Sequence, residues 1–115
     1  MNIILGDRST GKTYKLLSLL QDDAKNGIST TLVCYSEKSA DVHKRIALRD
    51  FDMEINCISL ENLREVEVSD GTRFYFDDLD MVLHYLFPKI WSNTRGFSFS
   101  LSDLGVEDKV TLLRR

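Results

Sequence analysis

Gly6-Asp7-Arg8-Ser9-Thr10-Gly11-Lys12-Thr13 fits the pattern G-x-x-x-x-G-K-[ST] in full. The apolar run Asn2-Ile3-Ile4-Leu5 precedes it and reads as a strand. Lys15-Leu16-Leu17-Ser18-Leu19-Leu20 follows it and reads as a helix. A chain of this length carries the bare pattern by chance roughly once in a few hundred cases, and the strand and helix around it make chance a poorer account. The chemistry of the stretch is local. Gly6 and Gly11 let the backbone approach a phosphate closely. Successive N–H groups from Ser9 to Thr13 form an anion nest at the positive end of the helix, beside Asp7, Arg8 and Thr10. Lys12 is placed to reach the terminal phosphates, and the Thr13 hydroxyl to hold Mg²⁺.

The rest of the chain supplies the frame for this loop. Helix one is expected from Lys12 to about Lys25, with Leu16, Leu17, Leu20 and Ala24 on its apolar face, stopping at Asn26-Gly27. Thr30-Thr31-Leu32-Val33-Cys34-Tyr35 reads as a strand. Ser36 or Ser39 can cap a helix through Ala40–Arg49, with Val42, Ile46 and Ala47 inward. Glu54-Ile55-Asn56-Cys57-Ile58-Ser59-Leu60 reads as a third strand, followed by a short helical turn over Glu61–Glu65 and a turn at Ser69-Asp70-Gly71-Thr72. A fourth strand, Arg73-Phe74-Tyr75-Phe76, leads to an amphipathic helix through Met81, Val82, Tyr85 and Leu86 that stops near Pro88. Phe97-Ser98-Phe99-Ser100-Leu101 alternates like a strand or hairpin arm, and Lys109-Val110-Thr111-Leu112-Leu113 reads as a last strand. Strands separated by helices predict an α/β fold, a three-layer α/β/α sandwich with a mainly parallel sheet. Ligands of such sheets bind beyond the carboxyl ends of the strands.

Size and composition narrow the classes. The chain has 115 residues, 43% of them hydrophobic, which suits one domain over 1–115 with a real core. Fifteen Lys and Arg against eighteen Asp and Glu give a net charge of −3, so charge offers no case for nucleic acid as a partner. The opening strand gives no signal or transit sequence, and no apolar run approaches the ~20 residues of a membrane span. A cytoplasmic protein without membrane contact is expected. Cys34 and Cys57 lie inside apolar runs and read as buried free thiols.

The second constellation is Arg73-Phe74-Tyr75-Phe76-Asp77-Asp78, a mostly apolar strand ending in acids. Such a strand buries its apolar residues and presents Asp77 at its end, where it can hold Mg²⁺, while a neighbouring acid orients and deprotonates an attacking water. Asp77 or Asp78 can equally cap the next helix.

Together the loop and the acidic strand resemble the Walker A and Walker B elements of the P-loop NTPase superfamily. Within it they are most similar to the branch of helicases, terminases and related ATPases. An extra strand–helix–strand stands between the two elements, and Asp77-Asp78-Leu79-Asp80 resembles the D-E-x-D box of that branch. The resemblance covers residues 1 to about 87. It implies a P-loop fold, ATP or another NTP with Mg²⁺ as cofactors, and hydrolase activity coupled to a protein partner or a homo-oligomer. A phage-like or mobile-element role in DNA packaging, replication or assembly follows by analogy. Thymidine-kinase-like proteins share the opening layout. The chain departs from the branch in one position: Asp78 stands where Glu is usual, one methylene shorter. Elsewhere in the superfamily a Glu from an earlier strand end does this work, and Glu61 is then the candidate. The catalytic assignment is therefore Lys12 with Asp78 or Glu61.

Other residues read more plainly. Tyr14 can approach a nucleotide base or pack against a helix. His43 and His84 fall on helices with no second ligand at metal spacing and read as helix-face residues. Arg8, Arg95, Arg114 and Arg115 are the candidates for an arginine finger, or solvated surface charge. Trp91, Phe97 and Phe99 form an aromatic group suited to core or oligomer packing. Three functions are compatible with these residues: a Mg²⁺-dependent NTPase, a nucleotide-binding regulatory module without turnover, and a small nucleoside or nucleotide kinase.

Overall fold

In the computed structural model, residues 2–6, 11–66, 71–96 and 109–113 are described. The readings placed on Asp7, Arg8, Ser9, Thr10, Ser69, Asp70, the Phe97–Leu101 stretch, Arg114 and Arg115 lie outside those residues. Strand β1 (Asn2–Gly6) pairs in parallel with β5 (Lys109–Leu113), with Ile4 opposite Thr111. Strand β2 (Thr30–Cys34) is the centre of a three-stranded parallel sheet, flanked by β3 (Cys57–Ser59) and β4 (Arg73–Phe76). Helices α1 (Lys12–Lys25) and α2 (Glu37–Phe51) make the crossovers β1–α1–β2 and β2–α2–β3. A 3-10 turn over Leu60–Glu65 leads toward β4, and α3 (Leu79–Leu86) and α4 (Pro88–Ser92) follow it. The chain is thus α/β with parallel strands, as alternating strand and helix patterns predict.

The core lies where β2 meets the two helices. Thr31, Leu32, Val33 and Cys34 are all buried, the mark of a strand covered on both faces. Leu32 and Cys34, on one face of β2, cluster with Leu16, Leu17 and Leu20 of α1 and Ala40 and Ala47 of α2. Full burial of a side chain such as Leu17 or Leu20 contributes about 1.5–3 kcal/mol. This cluster fixes both helices against the same side of the strand.

Each helix departs from its predicted face at one position, and for the same reason. In α1, Ala24 is exposed and Asp23 is buried. In α2, Val42 is 38% exposed and His43 is buried between Ala40 and Ala47. Both inward positions carry a polar side chain that has partners waiting. Asp23 accepts from Arg73 Nη1 at 2.9 Å and from the Tyr75 hydroxyl at 2.5 Å, tying α1 to β4. A buried carboxylate with two donors repays its lost hydration.

The ends of elements follow local chemistry. Ser36 caps α2, its hydroxyl accepting from Ser39 N at 3.1 Å, so the helix begins at Glu37 rather than Ala40. Asp52 ends it in the left-handed region (φ 49°), and the third strand runs over Cys57–Ser59 rather than the expected Glu54–Leu60. Gly27 (φ 71°) turns the chain after α1, as the Asn26-Gly27 pair predicts. Pro88 stands beyond the end of α3 and also opens α4, because proline at the first helical position gives up a donor that has no partner there.

Candidate functional site

The site is built where the first turn of α1 meets the carboxyl end of β4. Gly11 stands at the start of α1 in the left-handed region (φ 85°), a conformation glycine adopts without steric cost. Its carbonyl accepts from Lys15 N at 2.9 Å, so helix α1 opens directly from the loop. No acidic residue lies in the first turn of α1. The helix's own first turn therefore offers no carboxylate to its positive end, and the nearest one comes from Asp77 on another element.

Thr13 lies in that first turn and Asp77 lies just past β4. The Thr13 hydroxyl donates to Asp77 Oδ2 at 2.8 Å, across 64 residues of sequence. Asp77 N donates to the Val33 carbonyl at 3.2 Å, so the sheet ladder itself sets where the carboxylate stands. The carboxylate is buried and accepts two further bonds, from His43 Nε2 to Oδ2 at 2.6 Å and from Asp78 N to Oδ1 at 3.1 Å. Burial opposes its charge, but the His43 and Thr13 bonds outweigh burial and hold its pKa below the usual carboxylate range.

His43 is the residue sequence reasoning missed. Its Nδ1 lies 2.6 Å from the Ser39 carbonyl and its Nε2 lies 2.6 Å from Asp77 Oδ2. Both oxygens accept, so the two contacts favour a hydrogen on each ring nitrogen, the charged imidazolium form. Burial works against that charge, but the Asp77 bond, with Cys34 and the Ser39 carbonyl, pushes its pKa up to about 10. The signal was present in the spacing: 40, 43 and 47 share one helix face, and two of the three are alanine. Behind His43, the Cys34 and Cys57 sulfurs lie 3.4 Å apart, both thiols free and buried.

The remaining predicted residues divide. Asp78 is half-buried beside Asp77, with its backbone left-handed (φ 51°, ψ 56°). It stands at the N-cap of α3 but its side chain makes no capping bond, which corrects the capping reading. Burial, then Asp77 and Asp80, push its pKa up. Thr13, Asp77 and Asp78 are brought together, with Lys12 next to Thr13 in the chain. Glu61 is exposed and accepts from the Tyr85 hydroxyl at 2.8 Å, a contact between the 3-10 turn and α3. Tyr14 donates to Asp50 and packs on Phe51, ring centroids 5.8 Å apart, which is the helix-packing reading. Arg95 is exposed and donates to the carbonyls of Ser92 and Thr94, and His84 is exposed on α3. Trp91 is half-buried on α4.

The donor set suits a hard cation. A hydroxyl and a carboxylate oxygen at 2.8 Å are the oxygen ligands Mg²⁺ takes, with phosphates and waters completing its shell. Among the described residues no group of three or more His, Cys, Asp and Glu stands ready to hold a metal ion by itself. A separate cleft of about 420 Å³ opens between α2 and β3 beside Asp41, Lys44, Asn56 and Cys57, and none of Lys12, Thr13, Asp77 or Asp78 lines it. Among the described residues no helix is long and apolar enough to cross a membrane. Comparison of the chain with family models, curated proteins and solved structures returned no match.

Proposed function

We propose that this chain binds a nucleoside triphosphate, most simply ATP, together with Mg²⁺, and hydrolyses it. The observation that carries the reading is the bond from Thr13 to Asp77. It joins the hydroxyl that ends the Gly6–Thr13 pattern to the carboxylate that ends the acidic strand, two residues chosen from sequence for one metal–phosphate site. In this reading the backbone amides of the loop and the Lys12 ammonium bind the phosphates. The Thr13 hydroxyl and the Asp77 carboxylate hold the metal, which when bound supplies charge neutralisation on the phosphate oxygens. Asp78 takes the proton of the attacking water at its carboxylate, a role suited to a raised pKa. The same reading gives the chain a P-loop fold, a three-layer α/β/α sandwich in which the β1–β5 pair and the β3–β2–β4 sheet present their carboxyl ends together. Coupling of turnover to a protein partner or a second copy, in a cytoplasmic setting such as phage DNA packaging or assembly, is the role that fits by analogy with helicase- and terminase-like ATPases.

A second reading is a nucleotide-binding module without turnover. It is favoured by the engagement of Glu61 with Tyr85, which leaves the shorter Asp78 as the one of the two candidate bases beside Asp77. The two readings separate on Mg²⁺-ATP turnover of wild type, Lys12→Ala and Asp78→Asn. Hydrolysis lost in both variants supports the enzyme. Binding of ATP that is lost in Lys12→Ala, with no hydrolysis in wild type, supports the module. Wild type that binds no nucleotide removes both.

A further inference from the structure

We infer that His43 is a positioning residue of this site, one that holds the Asp77 carboxylate in the orientation needed for metal-dependent nucleotide binding. The inference rests on the reading of the Thr13–Asp77 pair given above. It concerns a residue that no loop or acidic-strand motif includes.

The geometry carries it. His43 is anchored at both ends of its ring, by Nδ1 on the Ser39 carbonyl one turn earlier and by Nε2 on Asp77 Oδ2, each at 2.6 Å. Ser39 is in turn bonded to the Ser36 cap, so the start of α2 fixes the first anchor. His43 is 6% exposed and lies in the buried row Ala40, His43, Ala47 of α2. An aspartate side chain on its own is loosely held, because its terminal torsion is broad. Among the described residues, Oδ1 of Asp77 accepts from the Asp78 amide at 3.1 Å and Oδ2 accepts, besides His43, from the Thr13 hydroxyl. That hydroxyl is itself a proposed ligand and is not a fixed support. His43 is the one partner of Oδ2 among the described residues that comes from outside the ligand pair.

A purely structural filler would be apolar. Burying an ion pair is costly, and a hydrophobic side chain of similar volume often serves stability as well or better. A donor placed behind a ligand oxygen matches instead the outer partners that orient metal ligands elsewhere, whose loss typically lowers metal affinity about 10–100-fold.

The test compares wild type, His43→Gln and His43→Asn, each checked for folding by circular dichroism. Glutamine places its amide N–H near the position of Nε2 and keeps a donor for Asp77. Asparagine is one carbon shorter, places its amide near Nδ1 and loses that reach. Affinity for the fluorescent nucleotide mant-ATP is measured in Mg²⁺ and in EDTA, and the ratio of the two dissociation constants is the readout. The expected result is that His43→Asn loses about tenfold or more of the Mg²⁺-dependent gain, that His43→Gln retains most of it, and that affinity in EDTA is the same for all three. His43→Leu, which fills the space without a donor, replaces His43→Asn if the latter does not fold. An equal ratio in all variants, with the wild-type gain intact, overturns the inference and leaves the site reading standing. A wild type that binds no mant-ATP, or gains nothing from Mg²⁺, overturns the site reading first and this inference with it.

Discussion

The Thr13 hydroxyl and the Asp77 carboxylate meet at 2.8 Å although they stand 64 positions apart in the chain. Nothing in the local sequence of either residue requires that contact. It is produced by topology: β4 ends beside the carboxyl end of β2, and the first turn of α1 lies against that end. The candidate site is therefore a consequence of the fold rather than of a single motif.

The His43–Asp77 pair predicts a stability effect that is separate from any ligand. Removing one partner of a buried charge pair leaves the other desolvated and unpaired, at a cost of about 3–5 kcal/mol. Asp77→Ala should lose stability on that scale in urea unfolding at neutral pH without nucleotide. A loss below about 1 kcal/mol, the level of an exposed pair, would mean that the two side chains do not bear on each other in solution.

Asp23 predicts a second effect, at alkaline pH. Burial and the bond to Asp23 push the Tyr75 hydroxyl up to about 12 from its ordinary 10. The folded protein thus holds this proton more tightly than the unfolded chain does. Its contribution to stability is complete below pH 10 and is lost as pH rises from 10 to 12. Tyr75→Phe should flatten the fall of stability across that window relative to wild type, and Asp23→Ala should cost about 1–3 kcal/mol below it. Identical alkaline profiles for wild type and Tyr75→Phe would contradict the assignment.

Tyr14 predicts an absence of effect. Its hydroxyl is committed to Asp50 and its ring to Phe51. Tyr14→Phe keeps the ring and loses one exposed bond, so ATP affinity should change by less than about twofold, the scale of an exposed polar contact. A large loss of affinity in calorimetry would place the side chain at the nucleotide base instead.

Most of the fold was legible because its signals are local. The ends of α1 and the bounds of β4 and β5 follow from the Asn26-Gly27 stop and from apolar runs bracketed by polar residues. The third strand is overread from sequence because Glu54 to Asn56 look strand-like, whereas its pairing with β2 starts at Leu32 and Cys57. Helical periodicity puts Ala24 and Val42 inward in place of Asp23 and His43, because it counts apolar residues and an acid or an imidazole scores lower. What puts Asp23 and His43 inside is a partner on another element, Arg73 and Tyr75 for one and Asp77 for the other. Such partners are invisible until the strands are placed. The Thr13–Asp77 half of the site was legible for the opposite reason: each residue is marked by its own motif, and only their meeting needed the structure.

The most direct test of the account is a double-mutant cycle on Thr13→Ala and Asp77→Asn, read as the Mg²⁺-dependent gain in ATP affinity by calorimetry. If the two residues serve one metal–phosphate site, either substitution alone removes most of the gain and the double variant is no worse than the weaker single. If their effects add independently, or if neither changes the gain while the wild type shows one, Thr13 and Asp77 do not act together and the proposed site is wrong.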